Sequence, residues 1–426
     1  MDHHLDERAM NGERLHIAHV LRKLDARAWG GTETHVGAIT RHLRACGVDS
    51  DVHAPLGGSG EDGPFDAYVS VRRFKAYNPF VGSHEARERL WQTGGSIVSI
   101  EHPLMLARDK TLDLVHLHTA GRIGGGVRTA MRITGRRYVV SVHGPLAADA
   151  AFLEKETRAR LRGTLDLGKV AGLALGARRV LDDAARVIVF NEAERRALEP
   201  RLGSRVVRMD HGVDIARFTS GDARCALDRW PALAGKRVVL QVARVCRQKN
   251  QRLAVEALAR AGVDDAVLVL AGAETDPGYA KEVADAAAAA GVSDRVHFLG
   301  NVDPAHVPDL LALASVVIVP SEHEAFGLAV IEGWAAGRAV LFSRIAGMVD
   351  IADNLGDRSP ALPADDASAW GNALGRTLRD ERQRSAYAAE GQRIAKARYD
   401  WGNVTRSLAA LYRDVLRAAP RVVAGT

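Results

Sequence analysis

The sequence predicts an α/β fold of two doubly wound domains, each a parallel sheet wrapped by helices. Apolar runs alternate with helical segments along nearly the whole chain, which is the pattern of successive βα units. With 426 residues the chain is too long for one typical core and suggests two domains of roughly 200 residues each. One unit is complete between Val316 and Phe342: an apolar run to Val319, a polar turn from Pro320, a helix closing at Gly337 and a second apolar run from Ala339.

Leu15 to Val20 reads as the first strand, and Thr34 to Ala45 as a helix with apolar Val36, Ile39 and Leu43, closed by Gly47. Between them Gly30 and Gly31 give either a tight turn or a place where backbone approaches a ligand closely. Asp51 to Ala54 is a second strand, 55–65 a polar surface loop, and 66–95 resists assignment. Asp113 to His118 and Tyr138 to His143 are strands that each end in a histidine, with a helix around Val127 to Ile133 between them. Such a histidine is commonly a structural hydrogen-bonder, but strand ends are also where ligands are met, so both are candidates. Arg122, Arg128, Arg132, Arg136 and Arg137 make either a solvated helix face or a surface for anionic lipid. Residues 151–183 look helical, and Arg186 to Phe190, a helix capped by Asn191, and Val206 to Met209 complete the first half.

In the second half Lys236 to Ala243 is an apolar strand, and Asn250 caps a helix to about Arg260. The turn between them holds Arg244, Arg247 and Lys249. Cations at a strand's carboxyl end suit a diphosphate, because they donate to its oxygens and neutralise charge that grows as it leaves. Ala266 to Ala271, Arg295 to Leu299 and Val316 to Val319 are strands separated by helices near 279–290 and 306–314; helical sequence runs from 366 to 396 and from Tyr399 to Leu416. The sequence has neither a Walker lysine loop nor a dinucleotide glycine fingerprint, which weakens ATPase and dehydrogenase readings.

Glu324 falls in the loop after Val319 and Glu332 in the second turn of the following helix. With Ser321, Phe326, Gly327, Ala335 and Gly337 they resemble the paired-glutamate signature (Glu, seven residues, Glu) of the retaining glycosyltransferases of family 4, which have the GT-B fold. Gly30-Gly31, His143-Gly144, Gly212-Val213-Asp214 and the loop Ile345 to Asp350 are similar to further motifs of that family. Three positions depart from it: His211 replaces Asn, Ala243 replaces the Gly before the arginine, and Asp350 stands where Glu is common. The resemblance covers nearly the whole chain and is thin between 55 and 95. It implies two Rossmann-like domains with parallel sheets facing an interdomain cleft: an acceptor-binding domain at 1–211, a linker at 212–235, a nucleotide-sugar domain at 236–396, and a helix at 397–426 that crosses back to the first domain.

The resemblance further implies a hexosyltransferase that moves a sugar from a UDP- or GDP-linked donor to a hydroxyl of a small molecule, lipid or glycan, keeping the anomeric configuration and using neither a bound metal nor another cofactor. Arg244 and Lys249 would hold the diphosphate, Glu332 the ribose, and Ser321, Glu324 and the backbone at Ala325, Phe326, Gly327 and Leu328 the donor hydroxyls. Val302 would face the base, and Gly30 and Gly31 would close on the phosphates. His143 would sit by the anomeric carbon, with Gly31, Thr32 and His118 toward the acceptor; Glu324, Arg244, Lys249 and His143 form the catalytic set. The alternatives are a catalytically silent GT-B nucleotide-binding scaffold, a GT-B epimerase or a phosphorolytic enzyme. A hydrolase carboxylate pair would leave Arg244 and Lys249 without a purpose.

Composition agrees with this class. A hydrophobic content of 47% with 26% charged residues is that of a globular domain, and a net charge of +6 suits phosphorylated ligands without demanding nucleic acid. Cys46, Cys225 and Cys246 are odd in number and widely spaced, which argues against a disulfide framework or zinc site and for a reducing cytoplasm. Met1 to Arg14 is polar where a secretory signal needs an apolar core, so the expectation is a cytoplasmic protein, at most peripheral at the inner face of a membrane.

Overall fold

The computed structural model describes residues 14–25, 30–57, 65–77, 79–82, 97–144, 164–166, 172, 174–356 and 360–418. The chain forms two compact units, Met1–Met209 with Trp401–Thr426, and Asp210–Asp400.

The first unit is built on a seven-stranded sheet. Its strands are β1 Leu15–Val20, β2 Val48–Pro55, β3 Ser70–Phe74, β4 Leu114–Leu117, β5 Tyr138–Val142, β6 Arg186–Val189 and β7 Val206–Arg208. They lie in the order β3-β2-β1-β4-β5-β6-β7, and every neighbouring pair is parallel. The chain therefore steps outward from β1 to β3, then returns to the other side of β1 with β4. Between β1 and β4 successive loops part in opposite directions, which opens a crevice at their carboxyl ends. Val20, Val115, Leu117, Val140 and Val187 pack one core of the sheet against Val127 and Ala130 of the helix Gly121–Thr134.

Helix α1, Gly31–Leu43, starts three residues before the predicted point because Gly30 is its N-cap, and the Gly30 N–H donates to Glu33 Oε2 at 3.1 Å. Asn191 caps Glu192–Leu202 as predicted, its side-chain oxygen accepting from the Glu194 N–H at 2.8 Å. The arginine tract is not one solvated face: Arg132 is exposed, while others are held within the fold. Arg122 and Arg128 are buried, Arg128 Nε donates to Asp183 at 2.6 Å, and Arg136 Nη1 donates to the Asp109 carbonyl at 2.6 Å. Within 151–183 the described residues include a strand, Thr164–Asp166, paired antiparallel with Phe80–Gly82. That partner satisfies its backbone where a helix was expected; the rest of the expected helix up to residue 171 lies outside the described residues. The C-terminal helix Trp401–Arg417 belongs to this unit, held by Tyr412 OH against His116 Nδ1 at 2.6 Å and by Arg413 donating to the Cys46 carbonyl at 2.6 Å.

The second unit repeats the plan with six strands: β8 Arg237–Val242, β9 Ala266–Ala271, β10 Val296–Gly300, β11 Val316–Val319, β12 Ala339–Ser343 and β13 Ala361–Leu362, in the order β10-β9-β8-β11-β12-β13 and all parallel. The reversal falls between β8 and β11. The segment 212–235 is folded into this unit: helices Ile215–Thr219 and Ala223–Arg229 are capped by Asp214 and Asp222, and the Asp222 N–H donates to Asp309 at 2.8 Å. The helical tract 366–396 breaks at Asp380, whose carboxylate accepts from the Gln383 N–H and so ends Ala367–Arg379 and starts Glu381–Ile394. No described helix is long and apolar enough to cross a membrane.

Trp370 is fully buried in the core of the second unit with Leu341, Ile318 and Leu374, and its indole N–H donates to the Pro363 carbonyl at 2.7 Å. Trp370→Ala is expected to destabilise this unit by about 3–5 kcal/mol through the cavity it leaves, measured by denaturant unfolding; a change below about 1 kcal/mol would contradict the packing described.

Candidate functional site

The reversal in the second unit puts two loops side by side, 243–250 after β8 and 320–327 after β11. Two buried glutamines shape the first: Gln241 Nε2 donates to the Lys249 carbonyl at 2.8 Å, and Gln251 Nε2 to the Arg244 carbonyl at 2.9 Å. Asn250 ends the loop with φ at +51°, the one described non-glycine residue in the left-handed region, and its side chain caps Gln251–Arg260 as predicted. Asparagine tolerates that conformation better than most residues. The loops are stitched by Glu322 N–H to the Gln248 carbonyl at 2.9 Å and Gln248 Nε2 to the His323 carbonyl at 2.8 Å.

Within this frame the predicted residues converge. The Lys249 ammonium pairs with Glu324 Oε1, and Ser321 Oγ donates to the same oxygen at 2.9 Å. Both charged side chains are largely out of water, with 17% and 14% of their surface exposed, so the pair is held and not merely adjacent. Arg244 is exposed on the same loop, and its guanidinium makes a long hydrogen bond of 3.4 Å to Thr275. Arg247 is committed elsewhere, paired with Glu282 and lying over the Tyr279 ring.

Gly327, with φ at +88°, is the N-cap of Leu328–Ala335, and Phe326 is buried beneath the loop against His211 and Tyr399. Glu332 lies one turn beyond Leu328, so both share a face. Its carboxyl is held above the usual range by loss of water, partly offset by the charge of Arg217, and it has no hydrogen-bond partner among the described residues. Ala325 and Val302 are half-buried at the loop and beyond β10. His211, in the place of the usual asparagine, is a buried ring pushed down to about 4 by desolvation, with Nδ1 donating to the Gly212 carbonyl at 3.2 Å.

Of two glycines that position this site, Gly347 reads in the sequence only as part of the loop Ile345 to Asp350, and Gly272 carries no reading there. A Cβ on Gly272 would come to 2.0 Å from the Ala243 carbonyl oxygen, and one on Gly347 to 1.6 Å from that of Glu324. Gly272 thus lets the loop before Arg244 close, and Gly347 lets the backbone of Glu324 seat. The signal for Gly347 is the glycine of the loop Ile345 to Asp350; Gly272 follows the end of β9 with no signature.

In the first unit the corresponding reversal gathers histidines. His19 on β1, His118 after β4 and His143 after β5 are joined in series: His19 Nδ1 to His118 Nε2 at 3.1 Å, and His118 Nδ1 to His143 Nε2 at 2.8 Å. His118 is buried and His143 half-buried. His35 of α1 meets the His143 ring edge-on at 5.0 Å. The ring nitrogens of His19, His116 and His118, and of His35, His118 and His143, lie within 4.8 Å of one another, a spacing that suits a metal ion as well as hydrogen bonds. Gly30 and Gly31 do not have positive φ. A Cβ on Gly30 would meet Glu33 Oε2 at 2.8 Å, whereas nothing lies within 4 Å of one on Gly31. The protein's own packing thus has a use for Gly30 alone, and Gly31 beside half-buried Thr32 leaves bare backbone at the surface.

Residues 228–394 match the sequence pattern of the family described as Glycosyl transferases group 1, and residues 30–210 that of the Glycosyl transferase 4-like domain. The chain is 30% identical over 341 residues to a D-inositol 3-phosphate glycosyltransferase of Geodermatophilus obscurus, covering 74% of this chain and 70% of that one. It is 31% identical over 252 residues to one of Corynebacterium urealyticum, covering 56% and 58%, and 28% identical over 333 residues to one of Salinispora tropica, covering 71% and 64%. The chain therefore spans about three fifths of the length of these two relatives. Among solved structures it superposes on sucrose-phosphate synthase from Thermosynechococcus elongatus with a TM-score of 0.74 at 20% identity, covering 95% of this chain and all of that one. It superposes on Anabaena HepE, solved with UDP and glucose, with a TM-score of 0.70 at 19% identity, covering 94% and 100%. These likenesses give the fold: two Rossmann-like domains of mixed α/β structure.

The buried imidazoles set an acid limit on folding. Desolvation holds His19 down to about 3 and His53 to about 4, and holds His102, His116 and His118 well below the ordinary range. Each binds its proton in the unfolded chain from about pH 6.5 downward but not in the fold, so stability present at neutral pH falls as the pH drops below about 6.5. His211 in the second unit is held down in the same way, and His16, raised by its bond to Asp51, acts in the opposite sense as one group against six. The apparent Tm is expected to be lower at pH 5.0 than at pH 7.5 by roughly 5 °C or more; equal values would count against neutral burial.

Proposed function

Because the chain belongs to the glycosyltransferases of family 4 and has their GT-B fold, we propose that it transfers a glycosyl group from a nucleoside diphosphate sugar to an acceptor hydroxyl, with retention of configuration. The observation that carries this reading is the cation and carboxylate set at the β8/β11 reversal: Lys249 held against Glu324, with Arg244 exposed beside them. A diphosphate leaving group gains negative charge as its bond to the sugar breaks, and two preorganised cations stabilise that change. Lysine and arginine supply this counter-charge without a resident metal. The N–H groups at Leu328 and Ala329, opening the helix after Gly327, add donors toward an anion.

Each remaining residue has a role that its surroundings support. Glu332, short of water and of hydrogen-bond donors, would receive the two hydroxyls of a ribose. Ser321, Glu324 and the backbone from Ala325 to Leu328 would bind donor hydroxyls, and Val302 would lie against the base. In the first unit His143 would stand at the anomeric carbon, with Gly30 and bare Gly31 against phosphate and acceptor and Thr32 toward the acceptor; His118, expected from the sequence to meet the acceptor, is buried with both ring nitrogens bonded to His19 and His143 and stands behind His143. The bond from anomeric carbon to phosphate oxygen breaks, the acceptor oxygen bonds on the same face, and the acceptor proton passes to the leaving phosphate. UDP, present in the HepE structures, is the first nucleotide to try, and the names of the curated relatives put a phosphorylated inositol first among acceptors.

A thermal-shift series with UDP, GDP and ADP tests the donor half. One nucleotide is expected to raise the Tm of the wild type, with about 2.7 kcal/mol of stabilisation at a hundredfold excess over Kd. Arg244→Ala is expected to lose most of that rise, and Glu332→Gln to weaken nucleotide binding roughly tenfold through one lost charged hydrogen bond. No shift with any nucleotide in folded wild type would overturn the reading. Incubation with the matching sugar nucleotide and inositol phosphate should then yield a product whose anomeric coupling shows retention.

A further inference from the structure

His143 does not stand alone: it ends a line of hydrogen bonds that begins at Ser50 on β2 and crosses three further strands. Ser50 Oγ lies 3.3 Å from His19 Nε2, His19 Nδ1 lies 3.1 Å from His118 Nε2, and His118 Nδ1 lies 2.8 Å from His143 Nε2. Parallel register builds the line. Ile17 pairs with Ser50, so His19, two residues on, shares the face of Ser50; His19 pairs with His116, so His118 shares it again. Ser50, His19 and His118 are all buried.

A neutral imidazole has one N–H and one accepting nitrogen. His118 uses both nitrogens on other histidines, so if it donates to one it must accept from the other, and the same holds at His19. The bonds along the line therefore all point the same way. When Ser50 donates inward, His19 donates to His118, His118 donates to His143 Nε2, and the His143 proton is on Nδ1. When Ser50 accepts, every proton shifts, and His143 carries its proton on Nε2 and a lone pair on Nδ1. The hydroxyl of Ser50 can rotate to serve either state. Burial keeps the inner rings neutral, as this requires.

We propose that Ser50, His19 and His118 form a hydrogen-bonded relay that sets the tautomer of His143 and thereby decides whether its outer nitrogen donates or accepts. Ser50, His19 and His118 are thus positioning residues, and their importance for turnover rests on the reading of His143 as the group beside the sugar. The relay itself is a property of the free protein.

The test uses the full chain labelled with ¹⁵N-histidine, with long-range ¹H–¹⁵N correlation reporting which nitrogen of each ring carries the proton and His143→Gln assigning the His143 signals. Ser50→Ala leaves His19 Nε2 without a partner. A buried lone pair is tolerated better than a buried N–H, so the line should turn toward the state with Nδ1–H at His143. Ser50→Asp offers an acceptor and should turn it the other way. The ratio of Nδ1–H to Nε2–H at His143 is expected to differ at least threefold between these two variants, and the difference should vanish in a His118→Phe background. Equal ratios in the folded variants overturn the relay. So would signals of His35, His118 and His143 that change together on adding a chelator, since those nitrogens would then be meeting at a metal ion. Turnover, measured in parallel, separates the two claims: a tautomer change that alters kcat at constant KM supports both, whereas one that leaves kcat untouched upholds the relay and removes His143 from the reaction centre.

Discussion

The second unit depends on one partly buried ion pair. Lys249 and Glu324 come from loops that follow different strands, and both side chains are mostly removed from water. Removing a carboxylate and an ammonium from water costs several kcal/mol each, and the attraction between them offsets this only when geometry is good and the remaining lone pairs are met. The surroundings support the pair. Ser321 donates to the shared carboxylate oxygen, and Gln248 ties the two loops through backbone bonds on either side. The consequence is that the Lys249 ammonium is held in place by contacts from both loops.

The same pair explains why glycines lie where they do. To bring the Glu324 carboxylate to Lys249, the backbone of Glu324 must seat against residue 347, and to bring the Lys249 loop round, Ala243 must seat against residue 272. Neither contact leaves room for a Cβ. Ala243 itself, standing where relatives of this type carry glycine, is accommodated because the close approach involves its carbonyl and not its side chain.

The strands were legible because a parallel sheet covered on both faces demands continuous apolar runs, and Val316 to Val319 or Ala266 to Ala271 admit little else. Asn191 and Asn250 were legible as caps because a short side-chain oxygen at a helix start has a specific partner. The acids and cations could be named from strand ends and from family resemblance, but their partnership could not: Lys249 and Glu324 are 75 residues apart, and only the strand order makes them neighbours. Arg247 looked equivalent to Arg244 until Glu282, on the helix Tyr279–Ala289, claimed it. Arg128 and Arg136 read as surface because composition cannot reveal a carbonyl or carboxylate waiting elsewhere in the fold.

Both units use the same topological device, a reversal of strand order beside the first strand, yet they fill it with opposite chemistry. In the second unit the reversal holds charged side chains, Arg244, Lys249 and Glu324. In the first it holds uncharged imidazoles joined to one another and to hydroxyls of Ser50, Ser141 and Tyr412. A fixed charge suits a ligand whose own charge is large and changes little in position. A line of neutral rings suits a group whose proton must be placed and replaced without creating a buried ion, because each ring hands on one proton as it receives another. The two reversals thus collect side chains of opposite character, charged groups paired across loops in the second unit and neutral rings bonded in series in the first.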